Sequence, residues 1–248
     1  MTATILNASA YRFVPLHDVD ALRGRSMASA RQAGLKGTVL LAEEGINLVL
    51  AGEAHALRHW ISQLQADSRF EGMPVKESWS ETQPFRHLRV KTKREIIRMN
   101  QPSVRPQAGR APAVDSATLA RWLESGHCDE GRPLVLLDTR NAFEVDAGAF
   151  SGALDWRLSK FSDLPSALLA HRDELLGKTV VSYCTGGIRC EKAALWMAAQ
   201  GVPHVLQLDG GILRYFEATA AQAPGWQGRC VVFDERGALD PQRRAAPP

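Results

Sequence analysis

Three prolines, Pro102, Pro106 and Pro112, fall close together with Gly109 among them. Proline fixes φ and has no N–H to give to a helix or a central strand, so no regular element runs through this stretch. The chain must therefore fold as two halves. The break reads as a linker over 101–114, between an N-terminal domain at 1–100 and a second domain at 115–224. A C-terminal extension follows over 225–248, whose end, 243–248, reads as a frayed tail. With 248 residues, there is enough chain for each half to bury a core of its own.

Before the break, apolar periodicity predicts strands at 10–16, 37–42, 47–51, 74–79 and 87–98, with helices at 19–33 and 53–65. The order βαββαβ with a trailing strand is that of a ferredoxin-like, acylphosphatase-like α+β sandwich. After the break, Asp115 or Ser116 can cap a helix through Leu119, Trp122 and Leu123. The short continuous apolar runs 133–137 and 179–183 read as strands buried on both faces, and 166–176 and 191–200 as crossover helices. The second domain is thus expected to be α/β with a parallel sheet.

No uncharged apolar run approaches the ~18 residues that a membrane span needs, and the start has no basic segment followed by an apolar one. The cysteines, Cys128, Cys184, Cys190 and Cys230, contain no C-x-x-C pair, so neither a zinc knuckle nor a disulfide framework is written here. Together these features predict a cytoplasmic protein. Charge is uneven: Arg86, Arg89, Lys91, Lys93, Arg94, Arg98, Arg105 and Arg110 stand against a single acid, Glu95, while the rest of the chain is net acidic. Arg89, Lys91 and Lys93 alternate with Leu88, Val90 and Thr92, which on a strand sets three cations on one face at about 6.6 Å spacing. That pitch can follow a phosphate backbone, with Arg94, Arg98 and Arg105 extending the field; the alternative is a solvated edge protected by its lysines.

The most informative residues are Cys184, Thr185, Gly186, Gly187, Ile188, Arg189, Cys190 and Glu191, between the strand at 179–183 and a helix. A cysteine at the carboxyl end of a parallel strand sits where α/β folds place their active sites. The paired glycines let the backbone curl so that N–H groups point at the sulfur, and the following helix adds its positive end. Such surroundings favour thiolate over thiol and make a nucleophile at neutral pH, with Arg189 as a fixed cation beside it.

This loop resembles the active loop of the rhodanese superfamily, whose catalytic cysteine opens a cradle of backbone amides and carries a persulfide. From Cys184 to Arg189 it is C-x-x-x-x-R, one residue shorter than the loop of the cysteine phosphatases, and a tighter cradle suits one sulfur better than a phosphate. Asp138, Thr139, Arg140, Asn141 and Glu144, then 148–153 and 208–212, also look like rhodanese landmarks. Adding Glu44-Gly45-Ile46-Asn47, Ala51-Gly52 and 228–236, the chain resembles the bacterial tRNA uridine-34 hydroxylase family over nearly its whole length. Leu48 departs from the glycine usual there, and the chain stops at 248 without the cysteine-rich extension of many members; if that extension helps bind tRNA or metal in them, this chain is expected to manage without it. The resemblance implies an oxidoreductase that makes 5-hydroxyuridine at the wobble position with molecular oxygen as co-substrate. Its reductant is unspecified, and its partner is the anticodon region of tRNA rather than DNA or a membrane.

Other residues carry two readings each. Cys190 can resolve an oxidised or persulfidated Cys184, or simply pack in the first turn of the helix. Asp138 and Arg140 can shape the pocket, or be a turn-forming Asp and an Arg140–Glu144 helix pair. Cys128 and Cys230 read as structural. The histidines show no metal-ligand spacing and no G-x-G-x-x-G announces a nucleotide cofactor, so no metal or organic cofactor is evident. Two rival functions remain: a sulfurtransferase acting through a Cys184 persulfide, and a non-catalytic module that binds tRNA or protein.

Overall fold

The structure is a computed structural model that describes residues 4–245. Residues up to Ile97, with Asp234–Arg236, form one unit; Arg98–Phe233, with residues from Gly237 onward, form the other.

The first unit runs β1 (Ile5–Phe13), α1 (Val19–Gln32), β2 (Lys36–Ala42), β3 (Gly45–Gly52), α2 (Ala54–Gln65), β4 (Val75–Ser80) and β5 (Leu88–Thr92). Its sheet has the order β4-β1-β3-β2-β5, antiparallel except for the parallel β2–β5 pair at one edge. This is the ferredoxin-like sandwich expected, with the fifth strand added beside β2. In α2, Leu57, Trp60, Ile61 and Leu64 are buried, the i, i+3, i+4, i+7 spacing that gives a helix one apolar face. They pack with Leu6 and Ala8 of β1 and with Ile46, Leu48 and Leu50 of β3. Glu53 caps α2 by accepting from the His55 and Ala56 N–H groups at 3.0 and 2.8 Å.

The second unit runs β6 (Ala113–Val114), α3 (Ser116–Ser125), β7 (Leu134–Asp138), α4 (Ala142–Ala147), β8 (Gly148–Phe150), β9 (Leu154–Asp155), α5 (Leu164–His171), β10 (Thr179–Tyr183), α6 (Ile188–Ala199), β11 (Val205–Leu208), α7 (Gly211–Ala218), β12 (Trp226–Gly228), β13 (Cys230–Val231) and β14 (Ala238–Leu239). The main sheet, in the order β6-β11-β10-β7-β9, is parallel throughout. Every residue of the central strand β10 is buried, which is why 179–183 reads as an unbroken run rather than an alternating one. Two small antiparallel ribbons, β8–β12 and β13–β14, complete the unit. Asp115 caps α3, accepting from Ala117 and Thr118 N–H at 2.9 Å each, and Gly126 closes the helix in the left-handed region.

Several boundaries differ from the sequence expectation. The first strand lies at Ile5–Phe13 rather than 10–16, because its inward positions are partly small alanines between polar Asn7 and Ser9. The strand expected to reach 98 ends at Thr92, which pairs with Leu41 next to the last residue of β2, and a final bond from Lys93 N–H to the Leu41 carbonyl at 2.8 Å closes the ladder. Lys93 therefore lies past the strand rather than on its face. The helix expected over 166–176 starts at Leu164, with Pro165 in its first turn, and gives way after His171 to a tighter turn at Arg172–Leu175. The helix expected at 191 begins at Ile188, which places Arg189 and Cys190 inside its first turn. Of the tail expected to fray, Arg243 and Arg244 are hydrogen-bonded to Asp240 and Ala245 bridges Leu239; 246–248 lie outside the described residues.

Candidate active site

Strand β10 delivers Cys184 at its carboxyl end, and the chain then curls through 185–187 into α6. Gly187 sits at φ +97°, a conformation that a side chain would strain. There its N–H points back to the Cys184 Sγ at 3.2 Å. The first turn of α7 holds the curl from outside: Ile212 N–H donates to the Cys184 carbonyl at 3.0 Å and Leu213 N–H to that of Thr185 at 3.1 Å. Helix N–H groups without intrahelical partners are thus spent on the loop. Gly211 makes this close approach possible. At φ +68°, a Cβ there would run into the Cys184 carbonyl oxygen and stand 2.7 Å from the Gly187 nitrogen.

Cys184 is fully buried. Burial opposes its ionisation, but the Cys190 thiol, the Arg189 charge and the N–H groups of Arg189 and Gly187 outweigh it. The thiol falls from the usual 9.0 to about 5. Cys190 responds in the opposite sense: burial and the neighbouring Cys184 charge push it well above the ordinary thiol range, so it remains a donor. Its sulfur also lies 3.6 Å from the Thr139 hydroxyl. The two cysteines suggested by the sequence to interact are thus brought together, as thiolate and thiol.

Arg189 is buried and held by both oxygens of Glu144, at 2.7 and 2.8 Å. Burial raises the Glu144 carboxyl, yet the Arg189 pairing outweighs it and the net shift is downward. A fork-to-fork pair fixes the guanidinium plane as well as its charge. The Asn141 N–H, 3.0 Å from Glu144, adds a further anchor. The Thr185 hydroxyl lies 3.4 Å from both the Glu144 carboxylate and the Val231 carbonyl. Thr185 also touches the Cys230 thiol, which burial pushes up to about 12.

Asp138 and Arg140 are both buried and paired with each other at 2.6 Å. Asp138 also accepts the Arg140 backbone N–H at 3.0 Å, as a turn-forming Asp does. The Arg140–Glu144 side-chain pair is not formed. Arg140 instead donates to the main-chain carbonyls of Glu144 and Gly148, at 3.2 and 2.6 Å, and lies over the rings of Tyr183 and Trp226. Helical i,i+4 spacing pointed to the wrong partner because Arg140 precedes α4, and Glu144 turns toward a residue 45 positions away.

The model of the UPF0176 acylphosphatase-like domain matches residues 5–96, and that of the rhodanese-like domain matches 117–218. A Bordetella petrii protein named tRNA uridine(34) hydroxylase is 62% identical over 96% of this chain and 93% of its own length. Proteins of the same name from Delftia acidovorans and Bordetella avium are 60% and 58% identical, over 95% and 96% of this chain and 89% and 98% of theirs. The chain belongs to the tRNA uridine(34) hydroxylase family.

In this family member the basic segment divides. Arg89 and Lys91 are exposed on the edge strand β5, with Val90 turned inward between them. Lys93 and Arg94, also exposed, line a cleft of 510 Å³ together with Thr92, Asp18, Asp20 and Glu43, so acids share their surroundings. Arg86 pairs with Glu235 at 2.6 Å, and Arg110 with Glu191 and Asp209 at 2.7 Å each. Cys128 is buried and accepts from the Thr179 hydroxyl at 3.1 Å. Among the described residues, no three His, Cys, Asp or Glu side chains gather as metal ligands would, and no helix is long and apolar enough to cross a membrane. The sequence reading missed the Glu144–Arg189 pair and the approach of Cys230 to Thr185. Glu144 was visible as a landmark, but nothing in local spacing names its partner.

Proposed function

We propose that the protein hydroxylates uridine 34 of tRNA to 5-hydroxyuridine in the cytoplasm, with molecular oxygen as co-substrate and Cys184 as the catalytic residue. The observation that carries this reading is the buried Cys184 thiolate, cradled by backbone N–H groups in a chain whose near full-length relatives bear the hydroxylase name. Replacing the C5 hydrogen with a hydroxyl takes one oxygen atom; the other leaves as water, so a donor must supply two electrons and two protons. The chain's own part is to keep a reactive sulfur charged and dry. Gly187 N–H and the Cys190 thiol hold the thiolate, Arg189 balances its charge, and Glu144 fixes Arg189. Thr185, Gly186 and Ile188 complete the curl that aims these groups. Asp138 and Arg140 support it from below, through Tyr183, the residue before the cysteine. Arg89, Lys91, Lys93 and Arg94 supply positive charge for the tRNA backbone.

The same cradle favours a second reading, transfer of sulfane sulfur from a donor molecule to Cys184 and on to an acceptor, because the donors that stabilise a thiolate there would also stabilise the charged terminal sulfur of a persulfide. Nucleoside mass spectrometry of tRNA from cells with and without the protein separates the two. Loss of a uridine carrying one extra oxygen supports hydroxylation, loss of a thiolated nucleoside supports sulfur transfer, and no change leaves only a binding module. Cys184→Ser is expected to abolish the modification with the fold intact, since serine keeps the shape but forms neither a comparable nucleophile nor a persulfide. A folded Cys184→Ser protein with full activity would remove Cys184 from the reaction.

A further inference from the structure

Large apolar side chains exposed singly are ordinary, but two in contact on the rim of a site are not. Phe143 and Phe233 are 54% and 64% exposed, and their rings meet edge to face with centroids 6.5 Å apart. Each is carried by backbone that grips the catalytic loop. Phe143 precedes Glu144, the residue that clamps Arg189; the ~100° step of a helix turns Phe143 outward where Glu144 turns in. Phe233 follows Val231, whose carbonyl faces the Thr185 hydroxyl, by two residues, a reach of at most about 7 Å of chain. An exposed cation is anchored to the same helix: Arg229, between β12 and β13, donates its main-chain N–H to the carbonyl of Ala147, the last residue of α4, at 2.8 Å.

We propose that Phe143 and Phe233 form a stacking platform for an unstacked nucleobase of single-stranded RNA, with Arg229 meeting the adjoining phosphate. The inference rests on the reading of the chain as a tRNA-modifying enzyme and adds where the substrate is gripped. Aromatic rings accept any base through its π face, and chemistry on a base requires a nucleotide taken out of its stack. Two exposed rings offer π faces to a base, and one exposed cation carried on the same backbone offers a charge to its phosphate. The rings are exposed where the Cys184 sulfur is buried, and phenyl rings carry no nucleophile, so the pair positions substrate rather than reacting with it.

The test compares the full-length wild type with the double variants Phe143→Ala/Phe233→Ala, Phe143→Leu/Phe233→Leu and Phe143→Tyr/Phe233→Tyr. Binding is read by fluorescence anisotropy with a labelled anticodon stem-loop and with a fully paired RNA duplex. The alanine pair is expected to weaken stem-loop binding by about 5- to 150-fold per stacked base and to leave duplex binding unchanged. Tyrosine should restore the affinity and leucine, apolar but not planar, should not. Wild-type affinity in the leucine or alanine pair overturns the proposal. So does a wild-type dimer that the alanine pair dissociates without loss of RNA affinity, because the rings then cover a second copy of the chain. Nucleoside mass spectrometry on the wild type keeps the two readings apart. Hydroxylation with ring-independent binding sinks the platform alone, and ring-dependent binding without hydroxylation supports the platform and sinks the functional reading.

Discussion

At the scale of single residues, the proposed chemistry asks for a charge kept away from water. A buried thiolate is costly unless donors replace its hydration, and here Cys190, Arg189 and two main-chain N–H groups do so. Because the Cys184 pKa lies at about 5, well below the usual 9.0, the fraction in the active ionised form falls as pH drops through about 5 and is nearly complete at neutral pH. The pH–rate profile should therefore show an acid limb near pH 5. Cys190→Ala removes a donor to the thiolate and should move that limb to higher pH, lowering activity several-fold near pH 6 while changing it less at pH 8. An unmoved limb in a folded Cys190→Ala protein would reduce Cys190 to packing.

At the scale of elements, the site is a junction of β10, α6 and α7, and its precision comes from main-chain contacts. The first turn of α7 bonds the carbonyls of Cys184 and Thr185, so the loop cannot relax without loosening that helix. Gly211 is the point of closest approach, and its positive φ adds strain to any substitution. Gly211→Ala is expected to destabilise the protein by roughly 1–3 kcal/mol in denaturant unfolding. Because the displaced atoms belong to the Cys184 loop, which the proposed function makes catalytic, kcat should fall by about 100-fold or more, beyond what lost stability explains. Unchanged kcat in Gly211→Ala would show that the loop tolerates movement there.

At the scale of the whole molecule, the basic segment is the feature that a polyanionic substrate would sense first. Arg86 and Arg110 are engaged with acids of the protein itself, whereas Arg89, Lys91, Lys93 and Arg94 are exposed in the first unit, as are Arg98 and Arg105 in the second. Phosphate contacts position an RNA without reading it. Lys91→Ala with Lys93→Ala should therefore weaken all tRNAs about equally and flatten the slope of log K against log salt by up to about one unit per contact. Turnover at saturating tRNA should persist. Affinity and slope measured across several salt concentrations decide the matter: no change in either would return these lysines to a solvated edge.

What the sequence determined by itself was local. Prolines stop elements, period-2 and period-3.6 patterns separate strands from helices, and an unbroken apolar run marks a doubly covered strand; the order of elements in the first half, and the two central strands and three of the helices of the second, follow from these alone. The Cys184 loop was legible for the same reason, since strand, cysteine, glycines, arginine and helix are contiguous in the chain. Tertiary structure decided whatever depends on partners distant in sequence. Where β5 stops is set by its pairing with β2, whose Leu41 is the partner of Thr92. Glu144 pairs with Arg189, 45 residues on, rather than with its near neighbour Arg140, which main-chain carbonyls and Asp138 already satisfy. Thr185 reaches Cys230, and Phe143 meets Phe233, because β13 returns beside α4. Local propensity is a property of the residues in a window, whereas a buried charge or an exposed ring acquires its meaning from whatever the fold brings against it.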